Sequence, residues 1–150
     1  MTTKTNIALC VIVLVALSTC AAQRTIENMK AEADSAQGGR QAALYAQLAD
    51  VLVSVAGQQF DKDDNQGGQA TVQDVLKYAT RAHDLALYYR DKMKETEITL
   101  RSTQRRLDSL KRTLSAYERP SVERVEKQLE QFRQDILDAM FAPPKKEKKK

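Results

Sequence analysis

A stripe of apolar and small residues runs from Thr71 to Ala116 without a slip. Val72, Val75, Ala79, Ala82, Ala86, Tyr89, Met93, Thr96, Leu100, Thr103, Leu107, Leu110 and Leu114 follow one another in steps of three and four. Neither Gly nor Pro interrupts them. That is the period of a helix presenting one seam to its neighbours. A straight helix of this span would be roughly 70 Å long at about 1.5 Å per residue, so other segments must lie along it.

Two such segments flank the stripe. Between Arg40 and Phe60, a broad apolar face carries Leu44, Leu48, Leu52, Val55 and Phe60, widened by Tyr45, Val51 and Ala56. The polar turn Asp61–Gly68 follows, and Thr71 with Asp74 has the spacing of a helix-capping box. At the other end, Pro120 forbids continuation and suits the first turn of a new helix. Residues 120–141 then repeat the seam with Val122, Val125, Leu129, Phe132, Ile136 and Met140. A weaker helical stretch, 25–36, ends at Gln37-Gly38-Gly39. The fold class read from this pattern is all-α. A long central helix, about 71–116, is shared by two antiparallel hairpins with coiled-coil-like seams. The competing architecture is a compact bundle with that helix broken near Thr96–Thr103, where β-branched residues cluster.

Composition enters through charge. The formal net charge is +4, but Lys4 and the last six residues account for more than that. Residues 23–144 hold 18 basic and 19 acidic side chains. A balanced body argues against nucleic-acid binding, which concentrates positive charge on one face.

Residues 1–22 have the order of an export signal: Lys4, an apolar run from Ile7 to Leu17, then small residues to Ala22. The run is shorter than the roughly 20 residues of a transmembrane helix. Signal-peptidase cleavage after Ala21 or Ala22 fits the small residues one and three positions before the cut. Leu17-Ser18-Thr19-Cys20 also resembles the lipobox of bacterial lipoproteins, departing from it at Thr19, and makes Cys20 the candidate lipidation site. By either route Cys10 is lost, and no intramolecular disulfide is left to hold the mature helical domain, 23–142.

No catalytic, cofactor or metal constellation is legible, which leads to the expectation of a non-enzymatic protein. Asp61-x-Asp63-x-Asn65-x-Gly67 begins like a calcium loop, but Gln66 and Val72 stand where Gly and Glu are needed. His83 is the sole histidine and falls at a helix–helix boundary. Tyr78, Tyr88 and Tyr89 read as packing residues. Glu97–Arg101, Asp108–Arg112 and Glu123–Lys127 read as solvated i, i+4 pairs. The tail 143–150 reads as disordered and basic. Its Lys145, Lys146, Lys148, Lys149 and Lys150 are candidate contacts to anionic lipid or cell-wall polymer.

Ala42-x-Leu44-Tyr45-x-x-Leu48-Ala49, Phe60 before the turn, and Leu76-x-x-Ala79-x-x-Ala82 after it resemble a degenerate tetratricopeptide-type hairpin. It lacks the opening Trp, has a lengthened turn and occurs once. The chain as a whole resembles small exported bacterial helical proteins of unknown function. Leader and resemblance together lead to the expectation of an exported scaffold or adaptor of the bacterial envelope, periplasmic or envelope-associated. It would act through protein–protein contact with an envelope partner or a second copy of itself. The alternative is a membrane-tethered lipoprotein spacer held at Cys20.

Overall fold

The computed structural model describes residues 25–142. Five helices make up this part of the chain: α1 (residues 25–35), α2 (Gly38–Phe60), α3 (Asn65–Tyr89), α4 (Met93–Thr113) and α5 (Arg119–Phe141). The all-α class stands. The seam from Thr71 to Ala116, however, is not one helix. Arg90 caps α3 in the left-handed conformation (φ 52°) and Lys92 precedes α4 in the same region (φ 55°). The chain therefore turns back at Arg90-Asp91-Lys92.

Cross-links between helices fix their directions. Thr71 Oγ1 donates to Gln59 Oε1 at 2.6 Å, and Arg81 reaches Tyr45 Oη at 3.3 Å, so α2 and α3 are antiparallel. Arg133 meets Glu97, and Lys111 meets Glu126, so α4 and α5 are antiparallel. Gly39 lies against Asp91, Asp50 bonds Thr103, and Ser54 bonds Arg106, so α2 and α4 run parallel, side by side. His83 with Asp135, and Arg90 with Ala139, place α3 parallel to α5. The α3 and α4 backbones come close at few points, and those of α2 and α5 stand apart, on the diagonal of the bundle. Two hairpins are thus stacked in the same sense, first helix on first helix and second on second. A single apolar cluster runs through both, and α1 joins it through Ala33, Ile26 and Met29.

The fold-back has a physical reason. A continuous helix would leave each half of its seam with one partner, whereas stacking gives α4 both α2 and α5. Val72, Val75, Ala79, Ala82, Ala86, Met93, Thr96, Leu100, Thr103, Leu107 and Leu114 are all buried. The heptad rhythm survives because α4 resumes in phase; Tyr89, at the end of α3, leaves the core, and Leu110 is only partly buried at its edge. The threonine cluster does not break α4. Thr99 and Thr103 bond the carbonyls of Glu95 and Thr99 one turn back, each at 3.0 Å, and so stay helical.

The first turn also differs from expectation. Helix α3 starts at Asn65 rather than Thr71, because the Asp64 carboxylate accepts the Gly67 N–H at 3.0 Å and caps it. The two glycines lie inside this helix, and Gly68 is there because Phe60 presses its ring onto the Cα.

A non-glycine left-handed residue costs about 1 kcal/mol or more. Lys92→Gly should therefore leave stability unchanged or raise it slightly, and Lys92→Ile should lower it. In an uninterrupted helix the glycine would instead cost about 1 kcal/mol. Urea melts of the three proteins separate these outcomes.

Candidate interaction surface

Parallel stacking of α2 and α4 leaves an open groove between them with a volume of about 540 Å³. Val53, Gly57, Ile98 and Leu110 form its apolar part, and Arg101, Arg105 and Arg106 stand over it. Helix α4 supplies the charge, with six basic residues against three acidic ones from Met93 to Thr113. Its seam faces the core, so the outward turns are free to carry cations.

Two of the three arginines are held from behind. Arg106 Nη1 donates to Ser54 Oγ at 2.9 Å and lies 3.5 Å from the Asp50 carboxylate, yet its side chain stays 49% exposed. Arg101 bonds Glu97 at 2.5 Å and stays 42% exposed. Arg105 makes no ion pair among the described residues and lines both this groove and the neighbouring one between α4 and α5.

Glu97 departs most from the sequence reading. Far from lying on a solvated face, its side chain is only 3% exposed. Docking of α5 covers it, and Arg133 reaches across with Nε 3.1 Å from Oε1 while its Nη1 bonds Gln104 at 2.5 Å. Burial pushes the Glu97 carboxyl up, but hydrogen bonds from Arg101 and Arg133 outweigh it and hold the pKa below its ordinary value. A depressed carboxyl contributes stability above its unfolded pKa, roughly 4.3. That contribution is lost as pH falls through the folded value, because the unfolded state then binds more protons. Glu97→Gln should flatten the acid limb of a stability–pH curve and cost about 1.5–3 kcal/mol at neutral pH, the range for hydrogen bonds to a charged group. Asp108–Arg112 behaves as expected of a surface pair, with Arg112 76% exposed.

On the opposite side, His83 joins α3 to α5. Its ring stacks on Phe132 with centroids 4.5 Å apart, and Nε2 lies 3.2 Å from Asp135 Oδ2. This is the helix boundary expected for it. Tyr78 is buried against Tyr45, 5.9 Å between ring centres. Tyr45 in turn donates to Asp34 of α1, and burial followed by that hydrogen bond raises its pKa. Tyr88 and Tyr89 do not pack in the core. They form an exposed edge-to-face pair at the end of α3.

Asp61–Asp64 forms the turn between α2 and α3, with Asp64 engaged as a helix cap. Among the described residues no cluster of His, Cys, Asp and Glu could hold a metal, and no helix is long and apolar enough to cross a membrane. Cys20 and Lys145, Lys146, Lys148, Lys149 and Lys150 lie outside the described residues, as does the leader. No family model, curated protein or solved structure matches the chain.

The groove arginines escaped the sequence reading because charge was averaged over the whole body. The local signal was present in Arg101, Arg105, Arg106, Lys111 and Arg112, one cationic helix in a body whose other residues are net acidic.

Proposed function

We propose that this protein is a non-enzymatic, exported helical adaptor of the bacterial envelope that works by protein–protein contact. The observation supporting it is the α2/α4 groove, an open channel with an apolar floor and half-exposed arginines already held in place. An apolar patch rimmed by polar groups, arginine among them, is the make-up of surfaces that recognise another chain. Export rests on the leader: Lys4, the apolar run to Leu17 and the small residues to Ala22.

Photoreactive residues at Ile98, Gln73 and Lys127, exposed on α4, α3 and α5, test the adaptor reading in living cells. At least one face should give a discrete adduct in the envelope fraction, and no adduct from any of them would contradict the reading. Mass spectrometry of the same fraction tests export. The mature chain should begin at Ala22, Gln23 or Cys20, and an intact Met1 would contradict cleavage.

The second reading, a lipoprotein spacer, is favoured by Leu17-Ser18-Thr19-Cys20 together with the five tail lysines. One acyl chain anchors only marginally, and a basic segment supplies the second signal. A diacylglycerol adduct on Cys20 would establish this form. Loss of binding to anionic vesicles on truncation after Ala142 would assign the lysines their part in it.

A further inference from the structure

We infer that the α2/α4 groove takes an extended acidic peptide, with carboxylates at alternate positions and aliphatic side chains between them. The inference rests on the adaptor reading and names the partner's chemistry.

Three observations carry it. Arg105 is a cation without an ion-pair partner among the described residues, while Arg101 and Arg106 on the same groove keep guanidinium surface open beyond their own pairs. Glu97 and Asp50 hold those two from the core side, so the ordering of both side chains is already accomplished before a ligand arrives. The charge left uncompensated is positive: Glu97 is shared between Arg101 and Arg133, and Arg105 stands alone.

Geometry selects an extended chain. From Ile98 to Leu110 the groove follows α4 for roughly 18 Å at about 1.5 Å per residue. That is the reach of five or six extended residues at about 3.3 Å each. Arg101 and Arg105 are one helical turn apart, with Cβ atoms about 6 Å from one another. Alternate side chains of an extended strand are spaced by roughly 6.6 Å on one face, so two carboxylates separated by one residue reach both arginines. The residue between them, and the others on that opposite face of the strand, meet the apolar part of the groove at Val53, Ile98 and Leu110. Ile98 is an exposed aliphatic side chain, at 49%, on the groove wall.

A nucleic acid fits less well. The exposed aromatics Tyr88, Tyr89, Tyr117 and Phe141 stand at helix ends or in a loop rather than along the groove. No base-stacking platform therefore lines it.

The test is fluorescence anisotropy with a labelled hexapeptide, Glu-Leu-Glu-Leu-Glu-Leu, titrated with the mature protein. The wild-type protein should bind it at least tenfold more tightly than the same peptide with Gln for Glu, and less tightly as salt rises. Arg105→Glu should weaken binding at least tenfold with an unchanged circular dichroism melt, while Lys127→Glu, on α5, should not. Equal affinity for the Gln peptide, or wild-type affinity in Arg105→Glu, overturns the proposal. Tighter Arg105-dependent binding of oligouridylate or inorganic polyphosphate overturns it as well, and makes the groove a phosphate site. If the peptide fails while crosslinks from Ile98, Gln73 or Lys127 persist, the acidic-peptide reading falls and the adaptor stands. If those crosslinks are absent too, both fall.

Discussion

Leu107→Asp should lower the melting temperature by roughly 15 °C, against a few degrees at most for Arg106→Asp. The two positions are adjacent in sequence and opposite in environment. Leu107 is fully buried on the α4 seam within the single apolar cluster. Truncating such a leucine costs about 2–5 kcal/mol, and an unpaired carboxylate in its place adds the cost of burying a charge. A loss of about 4 kcal/mol takes a large share of a stability near 5–15 kcal/mol. In a helical body of this size each kcal/mol moves the midpoint by about 4 °C. Arg106, half exposed, gives up a contact to Ser54 and a pairing with Asp50, worth about 1 kcal/mol at the surface. Equal shifts in circular dichroism melts would show that the seam is assigned to the wrong face.

Gly39→Ala should be the costliest of the methyl additions, destabilising by about 2–3 kcal/mol through overpacking. A Cβ there would sit 2.5 Å from the Asp91 carbonyl oxygen and 2.6 Å from its carbon. Those are backbone atoms of the α3–α4 turn, so relief requires moving one hairpin away from the other. Gly57→Ala is the matched control. Its added carbon meets only Leu110 Cδ1, at an ordinary 3.7 Å. There the gain in helix propensity, about 0.5–1 kcal/mol, should make the change neutral or stabilising. Urea unfolding of both variants reads the difference, and a Gly39→Ala protein as stable as wild type would mean that the turn does not rest on α2.

How much of this fold was legible in the sequence depends on the residue. The seam was, down to individual positions, because burial on one helix face leaves a period of three and four. The turn at Arg90-Asp91-Lys92 was not, because none of the three is Gly or Pro and the seam resumes in phase beyond it. Its cause is tertiary: α4 gains α2 and α5 as neighbours only by folding back. Thr96–Thr103, where propensity is low, stays helical: Thr99 and Thr103 bond the preceding turn, and Thr96, fully buried with its hydroxyl unpartnered, is held by packing. The groove was illegible for the same reason. Arg101 and Glu97 look like any i, i+4 surface pair until α5 lays Arg133 over them. The leader and the tail lysines were legible as composition alone, and their roles are proposals.

Pulsed electron spin resonance between labels at Gln73→Cys and Thr113→Cys, with Cys10 and Cys20 replaced by Ser, tests the stacked-hairpin architecture most directly. The groove, and every functional reading built on it, exists only if α4 folds back beside α2. Gln73, near the start of α3, and Thr113, at the end of α4, then lie at the same end of the bundle. Packed helices stand about 8–10 Å apart, so the distance distribution should be centred below about 30 Å. A population near 60 Å, the span of an unbroken helix at about 1.5 Å per residue, would contradict it.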